Sequence, residues 1–308
     1  MRNSRDWGIY NKHLIERGEL DFFIDSKLLR IWKKELRKQN RHKAGRPFDY
    51  PDSFIRALHE LKALFHLAYR QLQGFASSIA DATLGMVIPH FTVVQKRLAK
   101  LNIKLETTVL TPGAVVAIDA TGLKAMRGWE WISKYKKRKK WIKFHAVADT
   151  KTHRFIAFKA TSGNMHDTTQ FKPLMKEVDL KSIGKVLADA AYDSSDNFEL
   201  LEKHNIEAGI RLRKISRGRF LKGKRARMRA MQQQFGFSKH RNRKQKFKHL
   251  LEDAQQEWKR RVGYGQRWQE EASFGSFKGM FGEHVYSKNW EAMENELILK
   301  TNLYNQLI

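Results

Sequence analysis

The pattern of hydrophobic and polar positions changes near residue 110 of the chain. Before that point, apolar residues recur three and four positions apart, which is typical of amphipathic helices. A basic segment with Gly and Pro, KQNRHKAGRPFDYP, interrupts the pattern once. The predicted helices cover about residues 20–36, 54–65, 67–79 and 92–101. The first 108 residues are therefore predicted to form an all-helical region.

After the break at Thr111, Pro112 and Gly113, short continuous apolar runs replace the helical pattern. Runs of this length, flanked by turn residues, are typical of buried strands. The predicted strands cover residues 114–118, 141–147, 155–160, 185–188 and 208–212, and predicted helices cover residues 171–178 and 196–204. Three strands, a helix, a strand, a helix, a strand and a later helix is the order of an RNase H-like fold. We therefore predict an α/β domain at 109–308, with an RNase H-like mixed sheet, flanking helices and an insertion at about 213–262.

The net charge of the chain limits the classes of partner that it can bind. The 308 residues contain 60 Lys and Arg against 32 Asp and Glu, a net charge of +28. Such a field attracts polyanions, above all nucleic acid, and an anionic membrane surface is the competing partner. The longest apolar runs are about five residues, so we expect neither a signal peptide nor a spanning helix. The absence of cysteine excludes disulfides and thiolate zinc sites.

Three segments are candidates for DNA contact. The last helix of the N-terminal region is basic and follows a turn, which resembles a helix-turn-helix module, although small helical bundles with a basic surface are common. Residues 134–143 combine Lys and Arg with two aromatic residues. The insertion has no acidic residue between Glu207 and Glu252; we interpret it as helical DNA-contacting arms, with a solvated loop as the alternative. The candidate contacts in the first two segments are Gln95, Lys96, Arg97, Lys136, Lys137, Arg138, Lys139 and Lys140.

Two of the predicted strands end in an aspartate. AVVAIDATG places Asp119 after one apolar run, and VLADAAYDS places Asp189 after another. The carboxyl ends of neighbouring parallel strands meet at one edge of a sheet, so the two carboxylates can lie close together. With a glutamate from a helix packed on the sheet, they would form an all-oxygen site for two Mg²⁺ or Mn²⁺ ions. Each aspartate alone could instead be a turn or capping group, which is the interpretation we prefer for Asp193.

The stretch YGQRWQEEASFGSFK supplies that glutamate. If it is one helix, Tyr264, Arg267, Glu271 and Lys278 lie on one narrow face. The alternative is a solvated face held by an Arg267–Glu271 pair.

Four other polar residues receive plainer interpretations. We assign His166 and Asp167 to a polar turn before a helix. His145 and Asp149 are assigned to a strand and a turn.

The spacing of Tyr264, Arg267, Glu271 and Lys278 resembles the tyrosine-arginine-glutamate-lysine signature of DDE-type insertion-sequence transposases. The segments IDATG, GNMHD, ADAAYDS and RDWGIYNKHLIERGELDFFID are similar to the insertion-sequence five family. Gln266 and Gln269 depart from a face that is often more basic in that family.

The resemblance covers essentially the whole chain and implies roles for its residues. Asp119, Asp189 and Glu271 would be catalytic metal ligands, and Tyr264, Arg267 and Lys278 would hold DNA phosphates. The partners would be double-stranded DNA, as terminal inverted repeats and target, and further copies of the chain in a dimer or a larger synaptic assembly. The setting would be the nucleoid in the cytoplasm of a bacterium or archaeon. The alternatives are a metal-dependent nuclease or resolvase of the same fold and a DNA-binding protein derived from a transposase.

Overall fold

The computed structural model describes residues 26–83, 87–125, 141–213, 225–235 and 246–308, with Gly8, Asn11, Lys12 and Ile15. The chain divides into two compact units. The first comprises Met1–Lys104 and Val285–Leu307, and the second comprises Leu105–His284 with Ile308. Among the described residues, no helix has the length and apolar content that crossing a bilayer requires.

The first unit is helical in its described residues. Its helices are α1 (Ser26–Asn40), α2 (Asp52–Leu64), α3 (Tyr69–Thr83), α4 (Phe91–Leu98) and α10 (Trp290–Leu307). Helix α2 follows Pro51, whose fixed φ suits a helix start, and Ile55 on its buried side packs with Leu98 of α4 and Leu299 of α10.

The first unit differs from the predicted division of the chain, because α10 belongs with it and not with residues 109–284. Polar contacts explain this placement. Asn295 donates to the carbonyls of Leu98 and Leu101, and Asn302 donates to the carbonyl of Lys104.

The second unit is built on a mixed sheet. Its strands are β1 (Ala114–Ala125), β2 (Trp141–Asp149), β3 (Phe155–Ser162), β4 (Ile183–Ala188) and β5 (Glu207–Ile210), and β6 (His284–Val285) lies where the chain passes between the units. Its helices are α5 (Asp167–Met175), α6 (Ser195–Lys203), α7 (Arg225–Phe235), α8 (Lys246–Val262) and α9 (Trp268–Phe281).

The five longer strands are ordered β3-β2-β1-β4-β5. Strands β1, β2 and β3 pair antiparallel, whereas β4 pairs parallel to β1 and β5 parallel to β4. This is the RNase H-like arrangement, so the predicted fold class is confirmed.

Helices cover both faces of the sheet because side chains alternate along each strand. On one face, Val116, Ile118 and Val186 pack with the apolar sides of α5, α6 and α7. On the other face, Ala117 and Leu187 contact Trp258 and Val262 of α8. Farther along that second face, Phe144 of β2 stacks on Phe277 of α9, with ring centroids 5.2 Å apart. The second face is therefore the one on which the glutamates of α9 can meet the strands.

Strand β1 is longer than predicted. The apolar run ends at Ile118, but β1 continues to Ala125 because residues from Asp119 onward still pair with β2. Only the pairing with β4 stops, at Ile118 opposite Ala188. Asp119 is therefore not at the end of its strand, but at the point where one of its two neighbours leaves the sheet.

Candidate active site

Two aspartates occupy equivalent places on adjacent strands. Ile118 and Ala188 form the last residue pair between β1 and β4, and Asp119 and Asp189 are the residues that follow them. Ala117 and Leu187, two positions earlier, point to the face covered by α8, so the alternation directs Asp119 to that face as well. The strand pairing thus brings the two aspartates to one edge.

Asp189 begins a tight turn. Its Oδ1 accepts a hydrogen bond of 2.8 Å from the Ala191 amide and so caps the short 3₁₀ turn Ala190–Tyr192. The Oδ1 of Asp119 accepts from the next amide in its strand, that of Ala120, at 2.8 Å. In both residues one carboxylate oxygen is fixed by the backbone, which limits the rotation of the side chain.

The segment with the four signature residues is not one helix. Tyr264–Arg267 is a 3₁₀ turn, and α9 begins only at Trp268. The turn follows Gly263, whose φ of 69° lies in the left-handed region that favours glycine. The prediction of one continuous helical face was therefore wrong before residue 268. The side chain of Tyr264 nevertheless reaches the sheet edge, where its hydroxyl donates to the carbonyl of Ala188 at 3.2 Å.

Arg267 joins two of the three carboxylates. Its Nη1 lies 2.9 Å from Oδ2 of Asp119, and its Nη2 lies 2.5 Å from Oε1 of Glu271. The Arg267–Glu271 contact expected for a solvated helix face is present, but the same guanidinium also reaches across to β1. The residues predicted from separate parts of the sequence are therefore joined in one cluster.

The electrostatics show how crowded these carboxylates are. Burial raises the pKa of Asp119, the negative charges of Asp189 and Glu271 raise it further, and Arg267 opposes the change. Burial also raises the pKa of Tyr264, which feels the charges of Asp189 and Asp119 as well. The negative charges of Asp189 and Glu271 close to the buried Asp119 form a site that would favour added positive charge.

Comparison with known families identifies this arrangement. Residues 111–306, well over half of the chain, match the family described as "Transposase DDE domain". The chain belongs to the DDE transposase family. A second family with the same description matches residues 15–128. The predicted enzyme class is thereby confirmed, and the chain is a transposase.

Two solved structures are similar to this transposase. The piggyBac transposase synaptic complex with hairpin DNA has 11% identity and a TM-score of 0.45, over 96% of this chain and 74% of that one. The intasome of simian T-cell lymphotropic virus, in complex with the PP2A regulatory subunit B56 gamma, has 15% identity and a TM-score of 0.26, over 64% of each chain.

The side chains present fit a hard divalent cation in chemical type. Carboxylate oxygens are the ligands that Mg²⁺ and Mn²⁺ prefer, and the Arg267 guanidinium already places a positive charge between two of them. Among the described residues, no three Asp, Glu or His side chains already form a closed ligand group. The Arg267 guanidinium contacts both Asp119 and Glu271, so it would have to move if these carboxylates held an ion.

The other predicted site residues fall into three groups. Lys278 lies on α9 with its Nζ 4.0 Å from Oε1 of Glu283. Gln95 and Lys96 are exposed on α4, in the first unit. The basic tract Lys136, Lys137, Arg138, Lys139 and Lys140 lies outside the described residues.

Arg97 differs from its two neighbours on α4. It is 6% exposed, its guanidinium donates to the Tyr50 carbonyl and forms an ion pair with Asp52, and it lies over the ring of Phe48. These contacts give Arg97 a structural role in the first unit, whereas the side chains of the other two predicted α4 residues, Gln95 and Lys96, are exposed.

The motif GNMHD lies beside β2, as part of the second unit. His166 precedes α5 as its N-cap residue, and Asp167 forms an ion pair of 2.9 Å with Lys143. His145 is buried in β2 and shares a 2.7 Å hydrogen bond with Thr161. Asp149 accepts bonds within its own turn, from Thr152 and Lys151. The turn and strand assignments of these residues agree with the structure.

Sequence reasoning missed two residues of the site. Arg211 directly follows β5, and its amide donates to the same Ala188 carbonyl that Tyr264 contacts. Its charge lowers the pKa of Tyr264, which places the guanidinium near the site. Glu270, next to Glu271 in the chain, is fully buried. Burial raises its pKa, and the charge of Asp119 raises it further. A cation just after the edge strand was a usable signal for Arg211, whereas nothing in the sequence distinguished the buried glutamate from its neighbour.

Proposed function

We propose that this transposase hydrolyses the phosphodiester bond at the 3′ ends of an insertion sequence and joins those ends to target DNA at the same site. Asp119, Asp189 and Glu271 are the ligands of two Mg²⁺ or Mn²⁺ ions in this proposal. The element would belong to the insertion-sequence five family, on the strength of the signature Tyr264, Arg267, Glu271 and Lys278.

One observation carries the proposal. Asp119 and Asp189 directly follow the last residue pair between the adjacent parallel strands β1 and β4, and Glu271 is connected to Asp119 through Arg267. Turns and caps alone would give no reason for carboxylates from β1, β4 and α9 to converge. A site for hard cations gives that reason.

The metal ions, when bound, activate the attacking oxygen and stabilise the leaving oxygen of an in-line displacement. The residues of the chain position the DNA. Arg267 and Arg211 offer guanidinium donors, which suit phosphate oxygens, and Tyr264 offers a hydroxyl at the same edge. Lys278 would offer an ammonium group farther along α9. Asp119 and Glu271 hold Arg267 in the present structure, and metal binding to these carboxylates would free its guanidinium for a DNA phosphate.

The DNA partner in this proposal is double-stranded, both as the terminal inverted repeats and as the target. Gln95 and Lys96 on α4 would contact one groove, and the tract Lys136 to Lys140 would contact phosphates. Two element ends must be brought together for joining, so we expect a dimer or a larger assembly on DNA. A net charge of +28 makes this binding strongly dependent on salt.

The decisive experiment is a paired cleavage and strand-transfer assay with labelled element-end DNA in Mg²⁺. Glu271→Gln preserves the shape of the side chain but removes a charge that a metal needs. We expect it to bind DNA with unchanged affinity and to lose cleavage and joining by at least about a hundredfold. The matched control is Glu177→Gln. Glu177 is exposed, and its carboxylate lies 3.7 Å from Nζ of Lys159, so this variant should keep full activity.

Residual cleavage within tenfold of wild type in Glu271→Gln would remove Glu271 from the site. Wild-type cleavage without any joined product would instead support a nuclease or resolvase of the same fold. DNA binding without cleavage at any divalent ion concentration would support a DNA-binding protein derived from a transposase.

A further inference from the structure

Asp193 does not have the role that its position in the sequence suggests. We predicted a cap for the next helix, but the N-cap residue of α6 is Ser194. The side chain of Asp193 is only 2% exposed, and its carboxylate is directed to α7. Oδ1 accepts from Nε of Arg227 at 2.6 Å, and Oδ2 accepts from Nη2 of Arg227 at 2.8 Å. This two-point contact is the strongest geometry available to an arginine and a carboxylate.

A second arginine holds the turn that connects Asp189 to Asp193. The amide of Arg213 donates to Oδ2 of Asp193 at 3.1 Å. Its side chain donates from Nε to the Ala190 carbonyl at 2.8 Å and from Nη2 to the Ala191 carbonyl at 3.0 Å. These carbonyls belong to the turn that Asp189 caps from its other end. The turn is therefore fixed by Asp189 at its start and by the two arginines at its end.

Helix α7 is itself packed on the sheet, so Arg227 has a fixed position from which to hold Asp193. Gln234 is completely buried; its amide donates to the Ile210 carbonyl at 2.7 Å, and its carbonyl oxygen accepts from the Leu212 amide at 3.1 Å. Ala230 and Met231 of the same helix are part of the core beside β4. The first helix of the basic insertion is thus packed on the catalytic unit, and is not a free arm as its composition suggested.

We propose that Asp193, Arg213 and Arg227 are positioning residues that hold Asp189 in register with Asp119 and connect the metal site to the basic insertion. The inference rests on the proposed function, because it assigns Asp189 to the metal.

The test compares two ion pairs of α7. Asp193→Asn and Arg227→Lys weaken the buried pair, each in a different way. Arg229→Ala removes the exposed pair between Arg229 and Glu202, which are 2.7 Å apart and 60% and 43% exposed. The control therefore loses an ion pair of the same helix without touching the Asp189 turn.

Two measurements separate positioning from simple stability. Hydrogen exchange of the amides from 191 to 193 reports on the turn and needs no activity. Mn²⁺ affinity in the absence of DNA, measured well below the melting temperature, reports on the metal site. We expect Asp193→Asn and Arg227→Lys to accelerate the exchange of these amides and to weaken Mn²⁺ binding about tenfold, whereas Arg229→Ala changes neither. The double variant Asp193→Asn with Arg227→Gln, which pairs two neutral amides, should recover part of both effects.

Unchanged exchange in Asp193→Asn and Arg227→Lys would overturn the proposal at its first step. Faster exchange with unchanged Mn²⁺ affinity would overturn the connection to the metal site and leave a purely structural ion pair. If wild type binds no Mn²⁺ and cuts no DNA, the proposed function fails, and the exchange data still decide whether the turn is held by α7. Should Asp193→Asn not fold, Arg227→Lys, which keeps the positive charge, decides the outcome.

Discussion

Two buried glutamates, one in each unit, have opposite surroundings. In the helical unit, Glu296 of α10 accepts hydrogen bonds from the amides of Tyr286 and Ser287, from the Ser287 hydroxyl and from Nζ of Lys300, all between 2.7 and 3.0 Å. In the catalytic unit, Glu270 of α9 is completely buried. Neither of its carboxylate oxygens has a hydrogen-bond partner among the described residues.

The two environments move the pKa of glutamate in opposite directions. Burial alone would raise the pKa of Glu296, but Lys300, Lys62 and the hydrogen-bond donors lower it to about 2. Burial raises the pKa of Glu270 well above its ordinary value, and the charge of Asp119 raises it further. The same side chain is thus a stabilising anion in one unit and a costly one in the other.

This difference shows that the buried carboxylate is arranged for stability in the helical unit but not in the catalytic unit. The Glu296 carboxylate, which has several donors, stabilises the segment before α10 and attracts Lys62 of α2. The Glu270 carboxylate, without a hydrogen-bond partner among the described residues, lies near the negative charges of Asp119 and Glu271, which Arg267 and the Asp119 amide only partly offset. Functional sites commonly tolerate such unfavourable electrostatics, because the charges are arranged for a ligand and not for the empty fold.

The largest expected effect comes from removing the satisfied glutamate. Glu296→Ala would remove the carboxylate that the Lys300 ammonium contacts and the acceptor of the Tyr286 and Ser287 amides. We expect the free energy of unfolding of the helical unit to fall by about 3–5 kcal/mol, as for other broken buried ion pairs. Scanning calorimetry would show a lower transition temperature for that unit.

Glu291→Ala, in the exposed first turn of the same helix, is the control and should cost less than about 1 kcal/mol. A loss in Glu296→Ala as small as that of the control would mean that Glu296 contributes little to the packing of α10.

The second effect is a loss of stability in acid. The folded pKa of Glu296, about 2, lies below its ordinary value of 4.5, so its contribution is complete above pH 4.5 and is lost as the pH falls toward 2. Burial also lowers the pKa of His59 to about 4 from 6.5, so this group adds a loss between pH 6.5 and 4. Glu296 alone accounts for about 3 kcal/mol.

Urea denaturation at a series of pH values between 7 and 2 measures this slope. Glu296→Gln does not titrate, so its stability should depend less on pH below 4.5. Identical slopes for the variant and wild type would show that other carboxylates govern the acid response.

Much of the architecture follows from the sequence. Apolar runs located all five long strands, and the order of strands and helices specified the sheet. The place of Asp119 and Asp189 at one edge followed from two similar runs of apolar residues. Local pattern is sufficient here because part of each of β1 to β4 is buried on both faces and forms a short apolar run in the sequence.

Contacts between distant residues could not be predicted from that pattern. Asp193 is in a sequence typical of a helix cap, and only the fold brings Arg227 to it. Arg97 belongs to a basic helix, but burial against Asp52 removes it from the surface. The turn at Tyr264 is imposed by Gly263 and by the reach of Tyr264 to Ala188, and helical spacing does not reveal either constraint.

The smallest expected effect concerns Glu270, and it is a gain in the free energy of unfolding and not a loss. The folded pKa of Glu270 is raised, so its contribution to stability is complete below the ordinary pKa of 4.5 and is lost as the pH rises. Glu270→Gln keeps the volume of the side chain and removes the ionisable group. We expect the variant to be more stable than wild type by about 1–2 kcal/mol at pH 8, with a difference near zero at pH 4.

Denaturant unfolding at pH 4, 6 and 8 provides the measurement, and the exposed Glu257→Gln on α8 provides a control without this pH dependence. A variant less stable than wild type at pH 8 would show that a favourable partner holds the Glu270 carboxylate. Glu270 and Glu296 would then differ in the kind of partner and not in whether they have one.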